Sequence, residues 1–95
     1  MSLDFLSMKA AGPLLVRLLE GDQYMSQLYT KYGYDRGIAS QSAIEAARNT
    51  LKRLGLLDDL TGLETPRPRL YLRLTEKGKQ VAEHLKAIQG LLTSP

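Results

Sequence analysis

The chain has no cysteine. That excludes a disulfide framework and any thiolate metal site, and it accords with an intracellular protein. Histidine occurs once, at His84, so a zinc centre would need a carboxylate-heavy site, and no such cluster stands in the sequence. Long hydrophobic runs are also missing. The best one, Leu14 to Leu19, is short and is broken by Arg17, too little for a membrane span. No basic segment opens the chain, and Asp4 lies near its start, which argues against a signal peptide. A cytoplasmic location is therefore expected. Catalytic signatures are lacking as well. There is no glycine-rich phosphate loop, and no Cys-His or Ser-His-Asp arrangement stands out. The sequence thus points to neither an enzyme nor a cofactor. The acidic pair Asp58-Asp59 is explained by a solvated loop.

Ninety-five residues make one small domain over 1–95, with a core modest enough that a partner subunit would help it. The net charge is only +3, but it is unevenly placed. From Lys31 to Arg73 there are eight Lys or Arg against five Asp or Glu, while the flanks carry five of each and cancel. All the excess positive charge lies in the middle, as a surface for an anionic partner would require.

Apolar spacing gives the elements. Asp4 to Ala11 reads as a short extra helix. Pro13 suits the first turn of the next helix, where its missing N–H is not needed. Leu14, Leu15, Leu18 and Leu19 follow at helical spacing, and Gly21-Asp22 closes the helix. Met25, Leu28, Tyr29 and Tyr32 form one face of a second helix that ends at Gly33. Ser40 or Ser42 opens a third, with Ala43, Ile44, Ala47, Leu51 and Leu54 as its apolar stripe and Gly55 as its stop. Leu56-Leu57 begins a strand, and Asp58 to Arg69 reads as a polar loop. Leu70, Leu72 and Leu74 alternate with Tyr71 and Arg73 in a half-buried strand. Thr75-Glu76 caps a long last helix with Val81, Ala82, Leu85, Ile88 and Leu92 inward. Two strands alone make no stable sheet, so the hairpin must pack on the helices. The expected fold is mainly α with a small β-hairpin (α+β), in the order α-α-α-β-β-α: a winged helix-turn-helix.

Three segments carry a family resemblance. They are Leu18 to Leu28, "LLEGDQYMSQL"; Leu51 to Leu57, "LKRLGLL"; and Leu70 to Leu85, "LYLRLTEKGKQVAEHL". The chain resembles MarR-like and related winged-helix transcriptional regulators. These commonly end the recognition helix in a leucine pattern before Gly-Leu, here Leu54-Gly55-Leu56. They commonly re-enter from the wing through Leu-Thr-x-x-Gly, here Leu74-Thr75-Glu76-Lys77-Gly78. The likeness covers Pro13 to about Leu92. Ala43-Ile44 stands where the family often has Thr-Val, and the connection from Gly33 to Ser40 is longer than the usual tight turn, leaving the angle between its two flanking helices open.

The resemblance implies a protein that binds double-stranded DNA in a sequence-specific way. Its recognition helix, about 41–54, would enter the major groove, and its wing, about 60–70, would lie on the adjacent minor groove and backbone. On a helical wheel at about 100° per residue, Ser42, Glu45, Asn49 and Arg53 fall opposite the apolar stripe, flanked by Arg48 and Lys52. Asn49, and Gln41 if it points downward, have the amide pattern that pairs with adenine. Arg48, Lys52 and Arg53 suit phosphates, which position without specifying. Glu45 either accepts from cytosine or closes a capping box from Ser42. A plain solvated helix face remains the alternative for each of these residues. At the wing, Pro66-Arg67-Pro68-Arg69 is held extended by proline, so Arg67 and Arg69 lose little entropy on docking into a narrow groove or on phosphate. The prolines also serve to blunt an edge strand. Tyr24, Tyr34 and Tyr71 have hydroxyls to offer phosphate, whereas Tyr29 and Tyr32 fit the core.

The last helix, about 75–92, carries Val81, Leu85, Ile88 and Leu92 at steps of four and three. That seam is longer than a small core needs, so a homodimer through this helix is expected, with a monomer folding it onto its own core as the alternative. No membrane partner is implied, and any small effector would lodge at the dimer interface. A winged helix also serves as a protein-docking module or as a non-specific chromatin or RNA binder. The arginines on a stiffened wing argue against the first, and the mild net charge against the second.

Overall fold

Leu14, Leu15 and Leu18 lie on one side of α1 (Ala11–Leu18), and all are buried. The computed structural model describes residues 4–8, 10–30, 37–62 and 69–93. A 3-10 turn, Asp4–Ser7, precedes α1, in place of the longer helix expected over Asp4 to Ala11. Pro13 occupies the first turn of α1. After it, Gly21 takes a φ of 131°, a region that favours glycine, and turns the chain into β1 (Gln23–Tyr24).

The next helix, α2, is a single turn, Met25–Leu28. The apolar spacing predicts that it continues through Tyr32, but Tyr29 is extended, with φ −79° and ψ 133°. The reason is competition for backbone groups. Tyr29 forms a parallel bridge with Ala39, the Ile38 N–H donates to the Leu28 carbonyl at 2.8 Å, and the Thr30 N–H donates to the Ala39 carbonyl at 2.7 Å. A returning segment takes the partners that further helix would use. Gly37 permits this approach, since a Cβ there would overlap the Tyr29 carbonyl. Tyr32, Gly33, Tyr34 and Arg36 lie outside the described residues.

Ser40, not Ser42, opens α3 (Gln41–Arg53), and its Oγ accepts from the Ala43 N–H at 3.4 Å. The Ser42–Glu45 capping box is not formed, because Glu45 accepts from the Gln41 amide instead, at 3.2 Å. At the other end, Gly55 has φ 77°. The Leu56 N–H returns to the Leu51 carbonyl at 2.9 Å and the Gly55 N–H to that of Lys52 at 3.0 Å. This is a Schellman turn, and the Leu51 and Leu56 side chains are both buried beside it.

β2 (Leu57–Gly62) and β3 (Arg69–Leu74) form the hairpin, and β1 adds to the far side of β3, so the antiparallel sheet runs β1-β3-β2. Two expectations change here. Asp58 to Gly62 is strand rather than loop, with Asp58 in register with Arg73. The sheet also has a third strand, two residues long, which pairs Gln23 with Leu72 and Tyr24 with Tyr71. Leu72 and Leu74 are buried while Arg69 and Arg73 are exposed, as the period-two alternation requires. The hairpin tip, including Pro66, Arg67 and Pro68, lies outside the described residues.

Thr75 joins the sheet and α3 to α4 (Glu76–Thr93). Its hydroxyl donates to the Gly55 carbonyl at 2.7 Å and accepts from the Gly78 N–H at 3.0 Å, while its own N–H donates to the Leu56 carbonyl at 3.1 Å. One residue thus caps the start of α4 and satisfies the exit of α3. Leu14, Leu15, Leu28, Ile44, Leu51, Leu56, Leu57 and Leu72 are the largest fully buried side chains. Each contributes roughly 1.5–3 kcal/mol by leaving water. The fold is a winged helix-turn-helix with α3 as its third helix. No helix among the described residues is long and apolar enough to cross a membrane.

Candidate nucleic-acid interface

The buried stripe Ile44, Ala47 and Leu51 fixes α3 on the core and turns the opposite face outward. Gln41, Ser42, Asn49, Lys52 and Arg53 are exposed, and Glu45 and Arg48 are half-buried. Below this helix lies Tyr29. Burial pushes its phenol above the ordinary value, the Glu45 charge adds to that, and Arg48 opposes it.

Several of these groups already have partners within the chain. Arg48 donates from Nε and Nη2 to Asn49 Oδ1, at 3.2 and 3.0 Å. The arginine is therefore engaged in orienting the amide rather than standing ready for a phosphate. Asn49 keeps its amide N–H groups as donors. Gln41 is turned toward Glu45. Ser42 Oγ lies 3.4 Å from Ser40 Oγ.

Lys52 faces the hairpin. Its Nζ lies 2.7 Å from Asp59 Oδ1 on β2. The acidic pair that looked like a solvated loop therefore divides: Asp59 latches α3 to β2, and Asp58 is exposed. The hydrogen bond from Lys52 holds the Asp59 carboxyl below its ordinary value, against a smaller opposing effect of burial. A carboxyl depressed in the fold stabilises the folded state fully above its unfolded pKa of about 3.9. That contribution fades as the pH falls through the lower folded-state value.

A second tie runs from β3 to α2. Arg69 Nη2 donates to Ser26 Oγ at 2.9 Å, and its guanidinium carbon stands 4.3 Å from the centre of the Tyr24 ring. Tyr24 meets Tyr71 edge-on, with ring centres 6.0 Å apart. Beyond them Arg73 reaches Asp22 Oδ2 at 2.8 Å and leans on Tyr71. The outer face of the sheet thus carries a row of two rings with a cation at each end. Sequence reasoning singled out Arg69, Arg73, Tyr24 and Tyr71 separately but missed Ser26 and Asp22. The alternation in β3 already set Arg69, Tyr71 and Arg73 on one face. The two-residue β1, which brings Tyr24 and its neighbours alongside, left no periodic signal.

The seam expected on the last helix is split. Val81 and Leu85 are half-buried and pack on the chain's own core, whereas Ile88 and Leu92 are 51% and 81% exposed. Leu91, not foreseen, is 77% exposed. Between α1 and the outer half of α4 lies a groove of about 830 Å³, lined chiefly by Pro13, Val16, Leu19, Leu85, Ile88 and Leu92.

No protein-family model and no curated protein matches the chain. Solved structures do. The chain is similar to a transcriptional regulator homologue from Pyrococcus horikoshii, with a TM-score of 0.71 and 19% identity over 99% of this chain and 93% of that one. It is also similar to the circadian clock associated protein Pex from Anabaena, with a TM-score of 0.66 and 21% identity over 90% of this chain and 78% of that one. Pex from Synechococcus matches with a TM-score of 0.67 and 16% identity, over all of this chain and 85% of that one. At these identities the likeness is one of fold.

Proposed function

We propose that this chain is a sequence-specific DNA-binding transcriptional regulator of the MarR-like kind, acting as a homodimer. The observation that carries the reading is the double pinning of the hairpin, through Lys52–Asp59 to α3 and through Arg69–Ser26 to α2. Helix and wing then present their cations and amides as one body, as a grip on a single duplex needs. In this docking, α3 enters the major groove. Gln41, Ser42, Glu45 and Asn49 face base edges, and Arg53 approaches the backbone, with Arg48 and Lys52 beside it, each held by its partner within the chain. Arg67 and Arg69 reach the adjacent minor groove or its phosphates. The likeness to a transcriptional regulator homologue supports the same reading. So do Leu54-Gly55-Leu56 and Leu74 to Gly78, the segments that carry the family resemblance, which here build the Schellman turn and the Thr75 joint.

Selection from a random duplex library at ~150 mM salt tests it, because electrostatic binding without sequence preference is weakened there. An enriched palindrome is expected. Absence of enrichment favours a protein-docking or non-specific nucleic-acid role.

The Asp59 latch yields a sharper expectation. Asp59→Asn removes the charge that holds Lys52, which then becomes free for a phosphate. The salt dependence of DNA binding should steepen by roughly 0.9, one contact's worth, as Lys52 exchanges a carboxylate for a phosphate. An unchanged slope would mean that Lys52 does not reach the backbone.

Dimerisation is assigned to the outer half of α4. At 18 residues this helix is roughly 27 Å long, and only Gly78 and Ala82 are buried along it. Ile88, Leu91 and Leu92 continue from the groove onto open surface as one apolar patch, the kind of surface a second copy of the chain would cover. A two-fold pair would set the recognition helices about 34 Å apart and call for a palindromic operator. Ile88→Asp with Leu92→Asp touches only exposed positions. It should give folded monomers by sedimentation, and a surviving dimer would exclude this seam.

A further inference from the structure

Ser26, Tyr24 and Arg69 sit together, away from the recognition helix. Arg69 stacks on Tyr24 at 4.3 Å and donates from one nitrogen to Ser26 Oγ at 2.9 Å. A guanidinium has five N–H donors, so most of its donors remain to be used. Ser26 Oγ accepts from Arg69, and its own hydroxyl proton is left to give. Two donors of this kind, 2.9 Å apart, are close enough to reach oxygens of the same phosphate group through charge-assisted bonds of about 2.7–2.9 Å. The Tyr24 ring holds the guanidinium by cation–π attraction. That removes rotamer freedom which a lone surface arginine would lose on binding.

We infer that Ser26 and Arg69 form a single binding site for a backbone phosphodiester of duplex DNA, with Tyr24 as the positioning residue that keeps Arg69 aimed at it. The inference rests on the DNA-binding reading and adds to it. It makes α2, through Ser26, a direct contact, and it joins α2 and the wing on the same phosphate.

The test uses the full chain and a fluorescently labelled mixed-sequence duplex, titrated at several salt concentrations, with thermal melts to confirm folding. Ser26→Ala should weaken binding about tenfold, as loss of a hydrogen bond to a charged group does, and should leave the salt slope unchanged because the hydroxyl carries no charge. Arg69→Ala should lower the slope by roughly 0.9. In the Arg69→Ala background, Ser26→Ala should have almost no further effect, since the site acts as a unit. Tyr24→Phe, which keeps the ring, should bind like the unaltered chain, whereas Tyr24→Leu should lose affinity. Equal effects of Ser26→Ala with and without Arg69 would overturn the shared site, as would unaltered binding by Ser26→Ala. If Tyr24→Phe is as weak as Tyr24→Leu, the ring is not what positions Arg69. No duplex binding by the unaltered chain sinks the functional reading and this site with it; the other failures sink the site alone.

Discussion

Replacing Gly78 with alanine should unfold much of the population near physiological temperature, lowering stability by at least about 3 kcal/mol, the upper end for overpacking. Helix propensity argues the other way. Gly78 lies in the first turn of α4, where alanine would ordinarily gain about 1 kcal/mol. Sterics decide the sign. A Cβ at Gly78 would overlap the Leu56 carbonyl and crowd its Cα. Those are backbone atoms, fixed by the Schellman turn and by the Thr75 N–H, so neither can step aside. For a domain of this size the loss corresponds to a fall in Tm of roughly 12–24 °C. Gly90 is the control on the same helix. Nothing lies within 4 Å of a Cβ there, so Gly90→Ala should raise stability by about 0.5–1 kcal/mol. Calorimetry of the two variants tests the account directly. A mild effect at Gly78 would mean that α4 can slide away from the α3 exit.

Arg67→Ala with Arg69→Ala should weaken duplex binding on every sequence alike. If each arginine meets one phosphate, the salt slope flattens by roughly 1.8 and affinity falls about thirtyfold at ~150 mM salt, and by more at lower salt. The loss should be uniform because phosphate contacts carry no base information. Arg69 enters this expectation with its guanidinium stacked on Tyr24 and bonded to Ser26. Fluorescence anisotropy across a salt series measures both quantities. An unchanged slope would reduce the wing to scaffold.

The two kinds of legibility in the sequence have different physical sources. Burial patterns are local and periodic, so Leu14 to Leu18, Ile44 to Leu51 and Leu70 to Leu74 announced α1, α3 and β3. Where a distant segment captures backbone groups, local pattern misleads. Met25 to Tyr32 has helical spacing, yet Ala39 and Ile38 take the hydrogen bonds after Leu28, and the helix stops at one turn. Two-residue β1 is too short for any periodicity to mark. At the candidate interface, sequence set Ser42, Asn49 and Arg53 outward by the wheel, as they are, whereas Glu45 and Arg48 are half-buried. It did not reveal that Arg48 is engaged with Asn49, Lys52 with Asp59 and Arg69 with Ser26. Those pairings depend on how α3, the sheet and α2 meet, which no single segment encodes.

Thr75 stands where the carbonyls leaving α3 meet the first turn of α4, and its hydroxyl serves both helices at once. With Leu56 pressed against Gly78 as well, the two helices turn as one lever whose short arm is α3 and whose long arm is α4. Whatever grips the end of the long arm therefore sets the heading of the short one.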